Sequence, residues 1–197
     1  MARSPALVAL LAVVLFCGAC SHPIVISNSI ADKAGPSDVE QIYGLFLDVF
    51  NRDAEVPLNI SMVGNAPTPE QIEQFSRCAT SKGTTGTSWV QPSQINDMTS
   101  AIGKSPNVRL VNPKDWKPTD PGDLIAQGQS VESAVKSGFA NGLLTMTAVT
   151  FSTSHETAAL SYSFVCGALC GSGGTVIFEK TNGNWALDRN ECDSWIS

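Results

Sequence analysis

Apolar residues along this chain follow a helical period in its first two thirds and a strand period in its last third. The first predicted helix is Val39–Phe50, where apolar residues recur on one helical face and Ser37 is a suitable N-cap. A second helix is predicted to begin at Thr68-Pro69, because a cap residue, an early proline and Gln71 together mark a helix start. The same spacing predicts two further helices, at Ser93–Ile102 and Val131–Phe139.

The last sixty residues predict successive strands, because their β-branched and aromatic residues lie between short turns. Asn182-Gly183 is a strong two-residue hairpin signal, since both turn positions require positive φ. We also expect a half-buried strand at Pro57–Val63 and a short strand at Val108–Val111. The predicted fold is therefore α+β, with N-terminal helices packed on a C-terminal antiparallel β-meander. The strands of that meander are predicted at 143–151, 158–166, 175–180 and 185–187.

The first twenty residues have the form of an export signal. Met1–Arg3 is short and positive, and the apolar stretch that follows spans roughly 21 Å as a helix, too short for a bilayer core of about 30 Å. Cys17-Gly18-Ala19-Cys20 resembles the lipobox of bacterial lipoproteins, although Cys17 stands where an aliphatic residue is usual. The expected division is a signal peptide over 1–19, lipidation at Cys20, a tether over 20–37 and one domain over 38–197.

Two alternatives remain open in this region. Ordinary signal cleavage after Ala19 would release the protein without a lipid, since Cys17 and Ala19 also fit a small-x-small site. The segment Pro23–Ile26 could form an edge strand instead of part of the tether. With lipidation, we expect a protein of the bacterial cell envelope that faces the periplasm, on the outer membrane rather than the inner one.

Composition excludes one class of partner. The chain has a formal net charge of −6 and no cluster of Lys and Arg, so a nucleic acid is not an expected partner. The expected partners are the membrane, through the lipid anchor, and an envelope protein or a small ligand. No cofactor and no metal are predicted.

Four cysteines follow the leader, and an even number in an oxidising compartment indicates two disulfides. Cys166 and Cys170 lie four residues apart across a Gly-rich bend, which leaves Cys78 and Cys192 as the long-range pair. A redox role for Cys166 would need a C-x-x-C at a helix start, which is not the spacing here. Metal binding by these two sulfurs with His155 or Cys192 is a further alternative, with few ligands to support it.

The C-terminal third resembles a family of uncharacterised bacterial exported proteins. The residues that carry the resemblance read CGALCGSG from Cys166, EKTNGNW from Glu179 and WIS from Trp195. The family implies no activity, so no catalytic residue is carried over. The ending of strand, NG turn, Trp and final strand is also similar to that of cone-shaped NTF2-like domains, which implies a curved sheet wrapped by helices.

Other candidate residues favour structural roles. Gly171–Gly174 is followed by a strand and not by a helix, so a turn or bulge is expected in place of a phosphate loop. His155 is expected to be an exposed turn residue, in a short polar segment that also contains Ser152, Ser154 and Glu156. Trp185 is expected in the core, and Trp89 and Trp116 are expected to hold loops to the sheet or, alternatively, to line a ligand groove.

Two functions follow from these observations. The first is an envelope lipoprotein that acts as a non-enzymatic binding or accessory module. The second is a small periplasmic hydrolase that uses a carboxylate pair drawn from seven acidic residues: Asp97, Asp115, Asp120, Asp123, Asp188, Glu191 and Asp193. Two carboxylates converging in a cleft would favour the hydrolase, whereas an apolar cleft would favour binding.

Overall fold

The computed structural model describes residues 36–51, 56–81, 83, 86–92, 98–102, 105, 107–188 and 192–197. The predicted signal peptide, Cys20 and nearly all of the predicted tether lie outside these residues. The described helices are α1 (Pro36–Phe50), α2 (Pro69–Ser81), α3 (Thr99–Ile102), α4 (Pro121–Ala126) and α5 (Val131–Asn141). The described strands are β1 (Leu58–Ser61), β2 (Trp89–Val90), β3 (Val108–Val111), β4 (Leu143–Met146), β5 (Thr150–Ser152), β6 (Thr157–Gly167), β7 (Cys170–Thr181), β8 (Asn184–Leu187) and β9 (Cys192–Ile196).

These strands form one curled, mixed sheet with the shape of a half-barrel, so the predicted α+β class is confirmed. The strand order is β2-β5-β6-β4-β1-β3, and β7 pairs with β6, β8 and β9. The C-terminal strands pair antiparallel, as expected of the meander. The sheet is mixed because β1 lies parallel to both β3 and β4. The segment predicted as one strand over 143–151 is two, β4 and β5, which both pair with β6.

The helix caps at Thr68 and Ser130 and the predicted hairpin turn are present in the structure. At the start of α2, Thr68 N–H donates to Gln71 Oε1 at 2.9 Å and Gln71 N–H donates to Thr68 Oγ1 at 3.3 Å, which completes a capping box. Ser130 Oγ accepts from the backbone N–H of Ser133 at the start of α5. Asn182 and Gly183 have φ of 52° and 81°, the positive values that the hairpin requires.

Other helix predictions need correction. Helix α1 begins at Pro36, so Ser37 lies inside the helix and is not its cap. The described part of the predicted 93–102 helix is only α3, and 93–97 lie outside the described residues. Helix α4 was not predicted, although Asp120-Pro121 repeats the cap-and-proline pattern of Thr68-Pro69, and Asp120 accepts from Gly122 N–H at 2.7 Å.

Strand β1 is buried on both faces, which corrects the expectation of a half-buried strand. It lies between β3 and β4 in the sheet. Leu58 and Ile60 on one face join the main hydrophobic cluster, and Asn59 on the other face lies against the end of α5. Its polar side chains are satisfied by backbone carbonyls. Asn59 Nδ2 donates to the carbonyls of Gly142 (3.1 Å) and Ala140 (3.3 Å) at the end of α5, and Ser61 Oγ donates to the carbonyl of Val63 at 2.8 Å.

The two faces of β6 and β7 contact different helices. Residues at even positions, including Leu160, Phe164 and Val176, join a large buried cluster with α1, which we call the α1 core. Residues at odd positions contribute Ala159 and Ile177 to a small cluster with Phe75 and Cys78 of α2, which we call the α2 core. The strict alternation follows from the period of a strand, whose successive side chains point to opposite faces.

Candidate functional site

An apolar cavity of about 470 Å³ opens at the C-terminal end of α1. Its walls come from the end of α1, the residues that lead into β1, and one face of α5, and its floor comes from β6 and β7. The volume is within the range of small-molecule binding sites. The lining residues are Phe50, Asn51, Val56, Pro57, Leu58, Lys136, Phe139, Ala140, Phe164 and Ser172.

The floor of the cavity is fixed by aromatic packing. Phe164 is 5% exposed, and its ring centroid lies 5.8 Å from the rings of both Phe50 and Phe139. The ring also lies directly against the backbone of Gly142, where a Cβ atom would overlap it. Phe139 at the rim is 55% exposed, so an apolar surface continues from the floor to solvent.

A second group of polar side chains joins the start of α1 to the sheet. Asp38 Oδ2 lies 2.9 Å from His155 Nε2 and accepts from Lys180 Nζ at 3.2 Å. Lys180 Nζ also lies 5.0 Å from the ring centroid of Trp185. Partial burial alone would raise the pKa of Asp38, but the hydrogen bonds from His155 and Lys180 outweigh it and hold that pKa below its usual range.

The expectation of an exposed His155 is therefore wrong. Its φ of 61° turns the side chain back over the sheet, where the ring stacks on Phe151 with centroids 4.5 Å apart. The side chain is 21% exposed and its Nε2 is engaged by Asp38. The nearby hydroxyls of Ser152 and Ser154 bond to each other at 3.1 Å. This arrangement fixes the β5–β6 turn to α1.

The four described cysteines form the two predicted disulfides, Cys78–Cys192 and Cys166–Cys170. Their Cα atoms are 5.8 Å and 5.0 Å apart, within the range of ordinary bridges. The first joins α2 to β9, and the second closes the β6–β7 hairpin. With all four sulfurs engaged in bridges, none of them is a thiolate ligand, so the metal-binding alternative for Cys166 and Cys170 loses its ligand set.

The glycine run lies inside β7 and not in a turn. Gly171 and Gly173 pair with β6, and Ser172 and Gly173 pair with β9, with a register shift before Thr175. A Cβ atom at Gly173 would overlap the indole of Trp195, so the absence of side chains allows this ring to lie on the strand. The register shift between Gly173 and Thr175 is the predicted bulge, and Gly171–Gly174 does not form a phosphate-binding loop.

The described acidic candidates do not meet in the apolar cavity. Asp115, Asp120, Asp123, Asp188 and Asp193 are all absent from its lining, and Asp97 and Glu191 lie outside the described residues. Asp120 instead accepts from the backbone N–H of Ala168 at 2.5 Å and of Gly122 at 2.7 Å, which lowers its pKa. It thereby holds α4 against the β6–β7 hairpin.

The tryptophans hold loops to the rest of the fold. Trp185 is 5% exposed, as expected of a core residue. Trp89 Nε1 donates to Ser76 Oγ at 3.0 Å, and Trp116 Nε1 donates to the carbonyl of Asn141 at 2.7 Å. Neither lines the cavity. The interpretation of Trp89 and Trp116 as loop anchors is therefore confirmed.

Sequence reasoning missed the cavity because its lining comes from distant segments. The apolar pattern places Phe50 and Phe164 on the hydrophobic faces of their own helix and strand, and nothing in either segment indicates that a cavity opens beside them. One signal was available. Val131, Val135 and Phe139 repeat every four residues on α5 and are all exposed, so this helix presents apolar side chains to solvent near the cavity rim.

Comparison with known proteins does not extend these observations. Searches against protein-family models, curated proteins and solved structures each find no match to this chain. Among the described helices, none has both the length and the hydrophobicity to cross a bilayer.

Proposed function

We propose that this chain is a non-enzymatic binding module that holds a small apolar ligand in the cavity between α1, α5 and the sheet. The observation that carries the proposal is the lining: mainly aromatic and aliphatic side chains, with no acidic residue among those described. Apolar walls with a few polar groups are the usual composition of small-molecule sites.

The proposed location is the bacterial cell envelope, with the domain facing the periplasm on a lipid attached to Cys20. The leader supports export, and the two disulfides are compatible with an oxidising compartment. The resemblance of the C-terminal third to exported proteins and the curled sheet are compatible with a cone-shaped, NTF2-like domain, which remains part of this proposal.

The alternative of a hydrolase has less support. A carboxylate pair would need a raised pKa on one member and a shared cleft. Of the described candidates, Asp120 has a lowered pKa and is engaged by two backbone N–H groups, and none of them lines the cavity. We therefore favour binding.

Titration with N-phenyl-1-naphthylamine, an uncharged fluorescent probe, tests ligand binding by the purified mature protein. We expect a saturable rise in fluorescence for the wild type. Ala140→Phe places a ring in the cavity and should abolish it, because Ala140 is a lining residue. Ala126→Phe is the matched control, since Ala126 is exposed on α4 and outside the lining.

Equal probe binding by the two variants would contradict the proposed site, provided that circular dichroism shows both to be folded. A wild type that gives no saturable signal would contradict the proposed function itself. Intact-mass measurement before and after reduction tests the anchor separately, because acyl chains on Cys20 and two disulfides each change the mass by a defined amount. A mature chain without acyl mass would establish simple secretion.

A further inference from the structure

We propose that a second cavity, on the α2 side of the sheet, binds a neutral monosaccharide. This polar cavity has a volume of about 300 Å³ and lies between the start of α2 and strands β4 and β6. Among the described residues, none lines both it and the apolar cavity. The site is therefore separate from the one in the proposed function, and it stands or falls independently.

The alternation of side chains along the strands decides which groups enter the polar cavity. In the β4–β6 ladder Thr145 pairs with Ser163, and Met146 pairs with Tyr162. The side chains of Met146 and Tyr162 belong to the α1 core, so these two residues meet the polar cavity with their backbones. Thr145, Ser161 and Ser163 lie on the opposite face, and their hydroxyl groups form the floor.

The rim of the polar cavity carries amide groups held in fixed positions. The backbone of Asn65 bonds at both ends to the chain beside β6, donating to the Met146 carbonyl at 3.3 Å and accepting from Ala148 N–H at 2.7 Å. Gln71 is held by its capping box with Thr68. A ligand therefore meets groups whose positions the fold has already set, which reduces the entropy lost on binding.

Several of these polar groups keep capacity for a further hydrogen bond. Thr147 Oγ1 accepts from the Ser161 N–H at 3.0 Å, which leaves its O–H to donate. Gln71 uses Oε1 as an acceptor, which leaves its NH₂ group to donate. Within the described part of the chain, the side chains of Asn65 and Ser163 make no hydrogen bond that would occupy them.

The remaining hydroxyl groups of the floor are already bonded inside the protein. Thr145 Oγ1 donates to the carbonyl of Ser163 at 3.2 Å, and Ser161 Oγ lies 3.2 Å from Thr175 Oγ1. Each of these oxygens still has a lone pair, so each can accept from a ligand. The cavity therefore presents both donors and acceptors.

This lining selects a neutral ligand with many hydroxyl groups. Among the described lining residues there is no Asp, Glu, Lys, Arg or His, so a charged ligand would lose water without gaining a counter-charge. The ring of Tyr162 lies in the α1 core, so a flat aromatic ligand finds no face on which to stack. A monosaccharide both donates and accepts around its whole edge, and the volume is at the lower end of small-molecule sites.

Titration of the isotope-labelled mature protein tests the proposal through the chemical shifts of its backbone amides. The probes are the methyl glycosides of glucose, galactose and mannose. We expect saturable shifts at Thr147, Ser161 and Gln71 with at least one of them, and a dissociation constant on the order of 1 mM, since a few neutral hydrogen bonds carry the binding. Cyclohexanol, a ring with one hydroxyl group, and glucuronate, a charged sugar, should each bind at least about fivefold more weakly.

Two variants locate the site. Ala66→Phe places a ring in the polar cavity and should abolish binding, whereas Ala126→Phe, outside the lining, should keep it. Asn65→Ala removes one exposed amide and should weaken binding about fivefold. Asn184→Ala is its matched control, because Asn184 is also exposed and does not line the cavity.

Three results would overturn the proposal. Without saturable shifts for any glycoside, the polar cavity holds water only. If cyclohexanol binds as tightly as the sugars, hydroxyl recognition is wrong. If Asn65→Ala and Asn184→Ala bind equally, with both folded by circular dichroism, the site is elsewhere. The result with N-phenyl-1-naphthylamine concerns the apolar cavity alone, so failure of one site leaves the other unaffected.

Discussion

Within the described residues the α1 core contains twenty buried residues, whereas the α2 core contains four. Because hydrophobic stabilisation scales with the apolar area removed from water, the α2 core alone holds its helix weakly. The chain compensates with a covalent link, since Cys78 in the α2 core is bonded to Cys192 of β9. The bridge in the α1 core, Cys166–Cys170, only closes the β6–β7 hairpin. Among the described residues no disulfide joins α1 to the sheet, and its start is joined there by the side chains of Asp38, His155 and Lys180. Helix α1 is therefore held to its face of the sheet mainly by packing, and α2 is held to the other face with the help of a disulfide.

The contrast also extends to the cavities beside the two cores. The cavity extends from the α1 core, where large aromatic rings leave space between them. The α2 core combines Phe75 and Ile177 with the small residues Cys78 and Ala159, and Gly173 lets Trp195 of β9 lie closely on β7. The smaller and more polar cavity, of about 300 Å³, lies beside α2, and Gln71, Thr145 and Ser161 are among its lining residues.

Removal of the long disulfide, Cys78–Cys192, should cause the largest loss in the free energy of unfolding. The double variant Cys78→Ser/Cys192→Ser opens a bridge with a sequence separation of 114 residues. The chain-entropy model predicts a loss of about 4–5 kcal/mol in the free energy of unfolding. Urea denaturation followed by circular dichroism measures it. A loss below about 1 kcal/mol would show that the α2 face does not depend on its cross-link.

Truncations in the two cores should differ in how they depend on that bridge. Leu144→Ala in the α1 core and Phe75→Ala in the α2 core should each cost about 3 kcal/mol with the bridge intact. Without the bridge, the cost of Leu144→Ala should be unchanged and that of Phe75→Ala should fall by about 1 kcal/mol or more, because Phe75 and Cys78 lie one turn apart on α2. Equal coupling of both sites to the bridge would mean that the two cores unfold as one unit.

The short disulfide should contribute less than the long one. Cys166 and Cys170 are four residues apart, so Cys166→Ser/Cys170→Ser should cost about 2 kcal/mol by the same model. The Ala168 N–H donates a hydrogen bond to Asp120, so the hydrogen-exchange rate of this amide measures local opening at the tip of the β6–β7 hairpin. A cost equal to that of the long bridge would contradict the dependence on loop length.

The smallest expected effect concerns the polar contact at the start of α1. The folded pKa of Asp38 is lowered, so its stabilisation is present above the unfolded value of about 4 and is lost as pH falls through the folded pKa. Between pH 5 and pH 3 the wild type should therefore lose about 1 kcal/mol more stability than Asp38→Asn. Asp48→Asn, exposed on the same helix, is the control and should behave as the wild type does. Identical pH profiles for all three proteins would refute a stabilising role for Asp38.

The parts of the fold that the sequence predicts are those coded by neighbouring residues. Capping at Thr68 and Ser130, the turn at Asn182-Gly183 and the pairing of four cysteines all follow from short motifs or simple counting. Helix α4 was not predicted, although Asp120-Pro121 carries the same kind of motif, because Pro113, Pro118 and Pro121 lie close together and such spacing is typical of irregular segments.

The parts that could not be predicted depend on contacts between distant segments. The parallel pairing of β1 with β3 and β4 has no local signal, and it changes Asn59 from an exposed residue into a buried one that bonds the end of α5. The contact of His155 with Asp38 spans 117 residues of sequence. The cavity is likewise a property of how α1, α5 and the sheet diverge, which the sequence of each element does not encode.

The placement of β1 also constrains the order of folding. Both neighbours of this strand, β3 and β4, are synthesised well after it, so β1 is complete only when a large part of the chain is present. Such non-local pairing slows folding, because loops must close before the contacts form. The first of the described strands therefore has no neighbour until the chain extends to residue 108, and it gains its second neighbour only with β4.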